Sequence, residues 1–438
     1  FPLKTANFSN NDFGMDFQPL VSDLDNDGNG EIMIFSNNSL IIFNPQLEIK
    51  SQAKVGDILG QPALFNVNGT INIIFNARQG SDYFFDYKLY DSALIQVFNI
   101  SLINDASFSG IKCLNLNGTN SCVFKDKRNY INIVNVDSRN NSLYNTSVYN
   151  EPRQTVPAIG DIDNDGNYEA VWWFNEDNSG GYGFLVFDLG KRSLDTEFNN
   201  SGIVDNIFSP LILGESIYHQ LFTLKGQPVL VDLNNDGKLE IAASVFYNDQ
   251  SNNEDILDDW YTELLVYSNN GTKLFSKCEP GPFRCNDAVS GPGAKHAWEG
   301  TNPFVLDYNK DGLDEVCFVK DVKDHGSFSY MAMNCYNYSG NEIAKVNLTG
   351  IFDGVKGTAM AADINNDGNP EIITSTAIYL LDGTSIFDYQ LNKFHPIAVD
   401  LDGNNGLDLL WSINGQTKVF LDDNNYTMDL SVSTSDIN

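Results

Sequence analysis

Short apolar or alternating segments, separated by clusters of Asn, Asp, Gly and Pro, run along the whole chain. Glu31-Ile-Met-Ile-Phe, Glu240-Ile-Ala-Ala-Ser-Val-Phe and Glu371-Ile-Ile-Thr-Ser are examples. Their length and alternation predict β-strands, and the intervening clusters predict turns. No apolar run approaches the ~20 residues that span a bilayer as a helix.

Between consecutive strands one acidic loop recurs almost letter for letter. Its copies are Asp23-Leu-Asp25-Asn-Asp27-Gly-Asn29-Gly-Glu31, Asp161-Ile-Asp163-Asn-Asp165-Gly-Asn167-Tyr-Glu169, Asp232-Leu-Asn234-Asn-Asp236-Gly-Lys238-Leu-Glu240, Asp307-Tyr-Asn309-Lys-Asp311-Gly-Leu313-Asp-Glu315 and Asp363-Ile-Asn365-Asn-Asp367-Gly-Asn369-Pro-Glu371. Oxygens at positions 1, 3 and 5, a sharp-turn Gly at 6 and a carboxylate at 9, with the residue at 7, suit the six to eight oxygens Ca²⁺ prefers. Mg²⁺ demands a stricter octahedron and suits them less. An EF-hand would place Glu at position 12 and continue into a helix, whereas position 12 of the first copy is Ile34, inside a strand-like segment. Each unit therefore reads as a β-hairpin with a cation at its tip. A sixth copy, Asp400-Leu-Asp402-Gly-Asn404-Asn-Gly-Leu-Asp408, has Asn at positions 5 and 6, which leaves its occupancy open.

Proline gives the repeat count. It stands four residues before loop position 1 at Pro19, Pro62, Pro157, Pro228, Pro303 and Pro396, where a strand begins and a missing N–H costs least. Pro62 exposes a degenerate copy, Asn66-Val-Asn-Gly-Thr, and Asn115-Leu-Asn-Gly-Thr is another. Units then start near residues 19, 62, 111, 157, 228, 303, 359 and 396. The period predicts an all-β propeller of four-stranded antiparallel blades in one domain over residues 1–438. Eight blades are expected, with seven as the alternative.

The loops and their flanking strands resemble the FG-GAP (VCBS-like) repeats of integrin α-subunit propellers and related secreted proteins. The resemblance covers nearly the whole chain and implies a calcium-stabilised propeller. The family's name motifs are poorly kept: Phe13-Gly14 occurs once, and Gly60-Gln-Pro and Gly226-Gln-Pro are the nearest echoes of the other half. Membership says little about ligand, because one fold hosts many functions.

Composition narrows the partners. The formal charge is −32 over 438 residues, which disfavours nucleic acid and anionic membranes. Five or six Ca²⁺ ions would neutralise about ten to twelve of those charges. The chain begins at Phe1 without Met, as after signal-peptide removal, and so predicts an extracellular or cell-surface protein. Sequons at Asn7, Asn37, Asn68, Asn99, Asn117, Asn140, Asn145, Asn199, Asn270, Asn337, Asn347 and Asn425 predict a glycosylated surface. Asn68 and Asn117 lie at the tips of the degenerate loops. Six cysteines allow fifteen connectivities; proximity predicts Cys113 with Cys122, Cys278 with Cys285 and Cys317 with Cys335, in an oxidising compartment, and the alternative of a Cys₄ zinc site lacks any C-x₂-C spacing.

In a four-stranded meander the metal loops share one face with the turns between strands 3 and 4. The opposite face receives the long insertions, 77–90, 190–226, 248–259 and 276–301. Tyr83, Phe84 and Tyr87 in the first, and His296 and Trp298 in the last, are candidate ligand-binding residues, since aromatic rings with polar tips suit sugars and protein partners. The alternative is that they pack their own loops down. Trp172 and Trp173 read as core. The expected function is an adhesive or ligand-binding module for a glycan or extracellular protein. Two alternatives are a polysaccharide-active lyase or hydrolase, with Lys295, His296 and Glu299 as weak catalytic candidates, and a self-assembling surface-layer subunit. No nucleophile elbow, His-Glu-x-x-His or phosphate loop occurs.

Overall fold

A computed structural model describes residues 19–36, 39–44, 48–58, 61–67, 70–78, 84–91, 96–103, 110–126, 130–138, 140–146, 156–175, 182–204, 228–248, 260–279, 295–324, 327–348, 359–374, 377–388, 397–401, 406–413, 416–421 and 426–430. Among them every regular element is a β-strand. The strands form eight antiparallel sheets, which we number in chain order: sheet 1 (20–54), sheet 2 (57–103), sheet 3 (112–145), sheet 4 (158–204), sheet 5 (229–279), sheet 6 (295–348), sheet 7 (360–388) and sheet 8 (397–430). Each is an up-and-down meander in which sequence neighbours pair, as in a blade of a β-propeller. No helix of the described residues is long and apolar enough to cross a membrane.

The strands that precede the loops begin at Leu20, Ala63, Lys112, Ala158, Val229, Phe304, Met360 and Ile397, each one residue past a start marked in the sequence. Three sheets split one strand into two pieces. In sheet 2, Asp57–Ile58 and Ala63–Val67 both pair with Thr70–Arg78. In sheet 6, Lys295–Gly300 and Phe304–Leu306 both pair with Glu315–Asp324. Pro62 and Pro303 stand in the gaps, where a residue without an N–H interrupts the ladder. In sheet 4, Ser193–Leu194 and Ile203–Val204 share the edge of Tyr182–Asp188.

These pairings revise the insertions. Phe84 and Tyr87 lie in the strand Phe84–Asp91, with Tyr87 opposite Asn76. Lys295, His296, Trp298 and Glu299 lie in the strand Lys295–Gly300. The alternating aromatic run has the strand propensity that its position after a turn concealed. Tyr83 lies outside the described residues.

The chain divides into two compact units, 1–157 with 362–369 and 394–438, and 158–361 with 370–393. In the first, Ile32, Ile34, Ile41 and Phe43 of sheet 1 bury against Leu401 and Leu410 of sheet 8. The other face of sheet 1, with Met33, Phe35, Leu40 and Ile42, meets Ile73 and Phe75 of sheet 2, and Ile74 meets Cys122, Phe124 and Val134 of sheet 3. In the second unit Val171, Trp173, Phe184 and Val186 of sheet 4 pack on Ile241 and Leu265 of sheet 5. Sheet 5 continues onto sheet 6 through Leu264, Val266, Phe318 and Tyr336, and sheet 6 onto sheet 7 through Val319, Met333, Ile372 and Tyr379. Strands buried on both faces explain why many read as continuous apolar runs. Trp172 and Trp173 are core, 0% and 6% exposed.

Two disulfides join residues directly opposite in register, Cys113 with Cys122 across strands 1 and 2 of sheet 3 and Cys317 with Cys335 across strands 2 and 3 of sheet 6. Cys285 lies outside the described residues.

Candidate metal centres

Each acidic loop connects strand 1 to strand 2 of its sheet, and one hydrogen-bond scheme recurs. Position 1 accepts from two main-chain N–H groups, those of positions 5 and 6. Asp23 takes Asp27 at 3.0 Å and Gly28 at 2.9 Å, and Asp161 takes Asp165 and Gly166, both at 3.0 Å. Asp232, Asp307 and Asp363 do the same with Asp236 and Gly237, Asp311 and Gly312, and Asp367 and Gly368. The carboxylate at position 5 accepts the N–H of position 7: Asn29, Asn167, Lys238, Leu313 or Asn369. Because position 7 contributes its main chain there, its side chain is free to vary.

Two backbone conditions hold the loop. Gly28, Gly166, Gly237, Gly312 and Gly368 at position 6 have φ between 83° and 92°. A Cβ on Gly28, Gly166, Gly312 or Gly368 would meet nothing within 4 Å, so the left-handed backbone requires glycine there, not crowding. Position 4 is also left-handed, at Asn26, Asn164, Asn235, Lys310 and Asn366. Asn tolerates that conformation best among residues with a Cβ, which gives the repeated Asn a conformational reason the sequence reading missed.

Position 9 is the buried end of the site. Glu31, Glu169, Glu240, Glu315 and Glu371 are each 1% exposed and Asp408 is 0%. Five of these carboxylates, those of Glu31, Glu169, Glu240, Glu315 and Asp408, accept the N–H of position 2: Leu24 at 2.7 Å, Ile162 at 2.8 Å, Leu233 at 2.9 Å, Tyr308 at 2.8 Å and Leu401 at 2.8 Å. Burial pushes the Glu169 carboxyl up to about 8, against the Ile162 bond, with Asp163, Asp188 and Asp195 adding to the rise. Glu240 is pushed up to about 7 by burial, with Asp236 and Asp232 contributing, and Glu315 is raised for the same reason.

A carboxylate hidden from water and ringed by others is costly unless a cation joins it. In sheet 4 one oxygen from each of Asp161, Asp163 and Glu169 lies within 4.8 Å of the others; in sheet 1 the converging set is Asp23, Asp25 and Asp27. All are hard oxygen donors on one hairpin, and the donor set fits a hard divalent cation.

Two lysines modify this pattern. Lys50 Nζ pairs with Asp25 and lies 2.9 Å from Glu31 Oε1. Lys191 Nζ lies 3.0 to 3.2 Å from Asp188, Glu197 and Asp165. Hydrogen bonds to Asp188 and Glu197 hold its ammonium well above the usual lysine range. Neither lysine was singled out from the sequence. Lys50 is 19 residues from Glu31, and only the pairing of strands 3 and 4 brings them together.

Of the remaining sequence candidates, Asp400 is half-buried, while Asp402 and Asn404 lie outside the described residues. Asn117, Asn140, Asn145, Asn199, Asn270 and Asn347 are exposed and Asn337 is half-buried. Asn199 donates its side-chain N–H to Ile203 O at 2.8 Å. Asn99 lies in a strand; Asn7, Asn37, Asn68 and Asn425 lie outside the described residues.

No protein-family model matches the chain, and no curated protein matches it significantly in sequence. Among solved structures it is similar to BBS1N in complex with ARL6DN, at 10% identity and TM-score 0.46 over 97% of this chain and 98% of that one. It is also similar to the rhamnogalacturonan lyase YesW, at 13% identity and TM-score 0.39 over 85% and 68%. A third is the V. cholerae biofilm matrix protein Bap1, at 15% identity and TM-score 0.37 over 95% and 77%. Likenesses this distant carry no argument about function.

Proposed function

We propose that the chain is a secreted or cell-surface, calcium-stabilised β-propeller of the FG-GAP type, with eight blades, that serves as an adhesion or ligand-binding module for a glycan or an extracellular protein. The observation that carries the reading is the repeated cradle of positions 1, 3, 5 and 9. Its position 9 carboxylate is buried in every copy, and burial raises the carboxyls of Glu169, Glu240 and Glu315. A repeated site internal to single hairpins acts on stability, with positions 1, 3, 5 and 9 holding Ca²⁺ and the ion offsetting the loop charge. Two disulfides that need an oxidising compartment agree with export. Ligand capture falls to the opposite ends of the sheets, where the strand Lys295–Gly300 extends the edge of sheet 6.

The test is thermal unfolding in calcium and in EDTA, followed by native electrophoresis of the calcium-loaded protein through gels containing polysaccharides, stained for intact polymer. Calcium-dependent melting with retarded migration over intact polymer supports the reading. A melting curve unchanged by EDTA removes the metal assignment, and a cleared track makes the protein an enzyme.

A further inference from the structure

In five sheets the fourth strand bulges at the same place, one residue after its pairing begins. In sheet 1 Phe43 pairs with Ile49 and Ile42 with Ser51, which leaves Lys50 outside the ladder. The corresponding residues in sheets 2, 5, 6 and 7 are Val97, Leu274, Ile343 and Ile386. The bulge follows the turn between strands 3 and 4, at the end of the sheet that carries the acidic loop. Four of the five positions hold an aliphatic residue. Sheet 1 alone holds a charge there, and its ammonium reaches positions 3 and 9 of the loop, Asp25 and Glu31.

The converging carboxylates differ between the two sheets that bring a lysine to the loop. In sheet 4, Glu169 converges with Asp161 and Asp163, whereas in sheet 1 the converging set omits Glu31. Lys191 of sheet 4 touches only position 5 and is otherwise held by Asp188 and Glu197, outside the loop. Its contacts leave positions 1, 3 and 9 to a cation.

We propose that Lys50 is a tethered competitor for the cation of the first loop: its ammonium holds Asp25 and Glu31 in the metal-free protein, so that this loop fills last, with the lowest affinity of the five, and calcium entry expels the side chain. The inference rests on the reading of the loops as calcium sites. The lysine side chain is 35% exposed, so it has a path to solvent when displaced. A divalent ion must overcome both the ammonium's attraction to two oxygens and its repulsion of a second positive charge. The first sheet thereby carries its own neutralising charge without metal, whereas among the described residues no lysine or arginine pairs with Glu169 or Glu240 at position 9 of sheets 4 and 5.

The test uses the full chain stripped with EDTA and titrated with calcium chloride by calorimetry, with bound ions counted by native mass spectrometry. Lys50→Met is expected to tighten one site at least tenfold and to lower the melting temperature in EDTA. Lys273→Met removes an exposed charge from the equivalent turn of sheet 5 and is expected to do neither. In an Asp23→Asn background, which cripples the first loop, Lys50→Met should lose its effect on affinity. If wild-type protein binds calcium at several sites and Lys50→Met leaves the isotherm unchanged, or if the gain persists in the Asp23→Asn background, the role of Lys50 is overturned while the calcium reading stands. If no calcium binds to wild-type protein or to Lys50→Met, both fall.

Discussion

The N–H of Gly30 donates to the carbonyl of Leu401 at 3.1 Å, tying position 8 of the first loop to position 2 of the loop in sheet 8. Leu401 in turn donates its own N–H to the buried Asp408 carboxylate at 2.8 Å. The second unit repeats the arrangement: Leu239 N–H meets Ile162 O at 2.9 Å, and Ile162 N–H meets Glu169 at 2.8 Å. Position 2 is thus shared between the carboxylate of its own loop and the backbone of the neighbouring sheet. Whatever orders position 9 also orders the contact between those two sheets.

Gly30 is also crowded from within its own sheet. A Cβ there would lie 2.8 Å from Val21 Cγ1 and 3.6 Å from Leu401 Cδ2, and a β-branched neighbour gives way poorly. Gly30→Ala is expected to destabilise by about 1–3 kcal/mol through overpacking, and Val21→Ala should recover part of it. Gly28→Ala is expected to cost about 1–2 kcal/mol through its left-handed backbone, with no rescue by Val21→Ala because nothing lies near its Cβ. Urea midpoints of the four variants measure this; equal rescue of both glycine variants would contradict the steric argument.

Glu169→Gln separates the roles of burial and charge. With a carboxyl pushed up to about 8, the metal-free protein holds Glu169 mostly protonated at neutral pH, and glutamine keeps an oxygen for the Ile162 N–H. Stability in EDTA should therefore change little. In calcium at a hundredfold excess over the dissociation constant, the variant should forfeit about 2.7 kcal/mol of ligand-linked stability from that site. Melting curves with and without calcium check both arms, and a large loss in EDTA would show that the ionised form is the native one.

The same shifts set a pH dependence. Glu169 and Glu240 are raised in the folded, metal-free protein to about 8 and about 7, so between an unfolded value of ~4.3 and the folded value the native state binds more protons than the unfolded one. These groups therefore lower the stability of the metal-free protein as pH rises through that window. Calcium binding must expel those protons. Calorimetry at pH 6.5 in buffers of different ionisation enthalpy should show proton release, which should fade by pH 9.

Much of the scaffold was legible because it depends on local chemistry. Proline marks strand starts, and the turn glycine with alternating oxygens marks the loop, so neither needs tertiary context. Position 9 could be placed, but its burial and its bond to position 2 follow from packing between sheets. The strands holding Phe84, Tyr87, His296 and Trp298 read as insertions from the sequence, because their apolar–polar alternation is weak. Lys50 was invisible because a bulge in a fourth strand aims it at a loop far back in the chain.

The disulfide Cys113–Cys122 spans the hairpin whose loop has lost its carboxylates. The tip, Asn115 to Gly118, is held by the Gly118 N–H on Asn115 Oδ1 at 2.8 Å and by left-handed Asn117 and Gly118. A covalent closure of separation 9 stabilises by roughly 2–3 kcal/mol, comparable to one well-populated ion site, and so matches the role proposed for a cation at the five intact acidic loops. Cys317–Cys335 instead joins strands 2 and 3 of a sheet whose acidic loop is intact. Removing Cys113 and Cys122 together by alanine substitution should therefore lower hydrogen-exchange protection across residues 112–125 equally in calcium and in EDTA. Removing Cys317 and Cys335 should lower protection in sheet 6 by an amount that calcium partly restores through the loop at 307–315. Restoration of residues 112–125 by calcium would mean that the degenerate loop still holds an ion, and that the disulfide supplements the metal there and does not replace it.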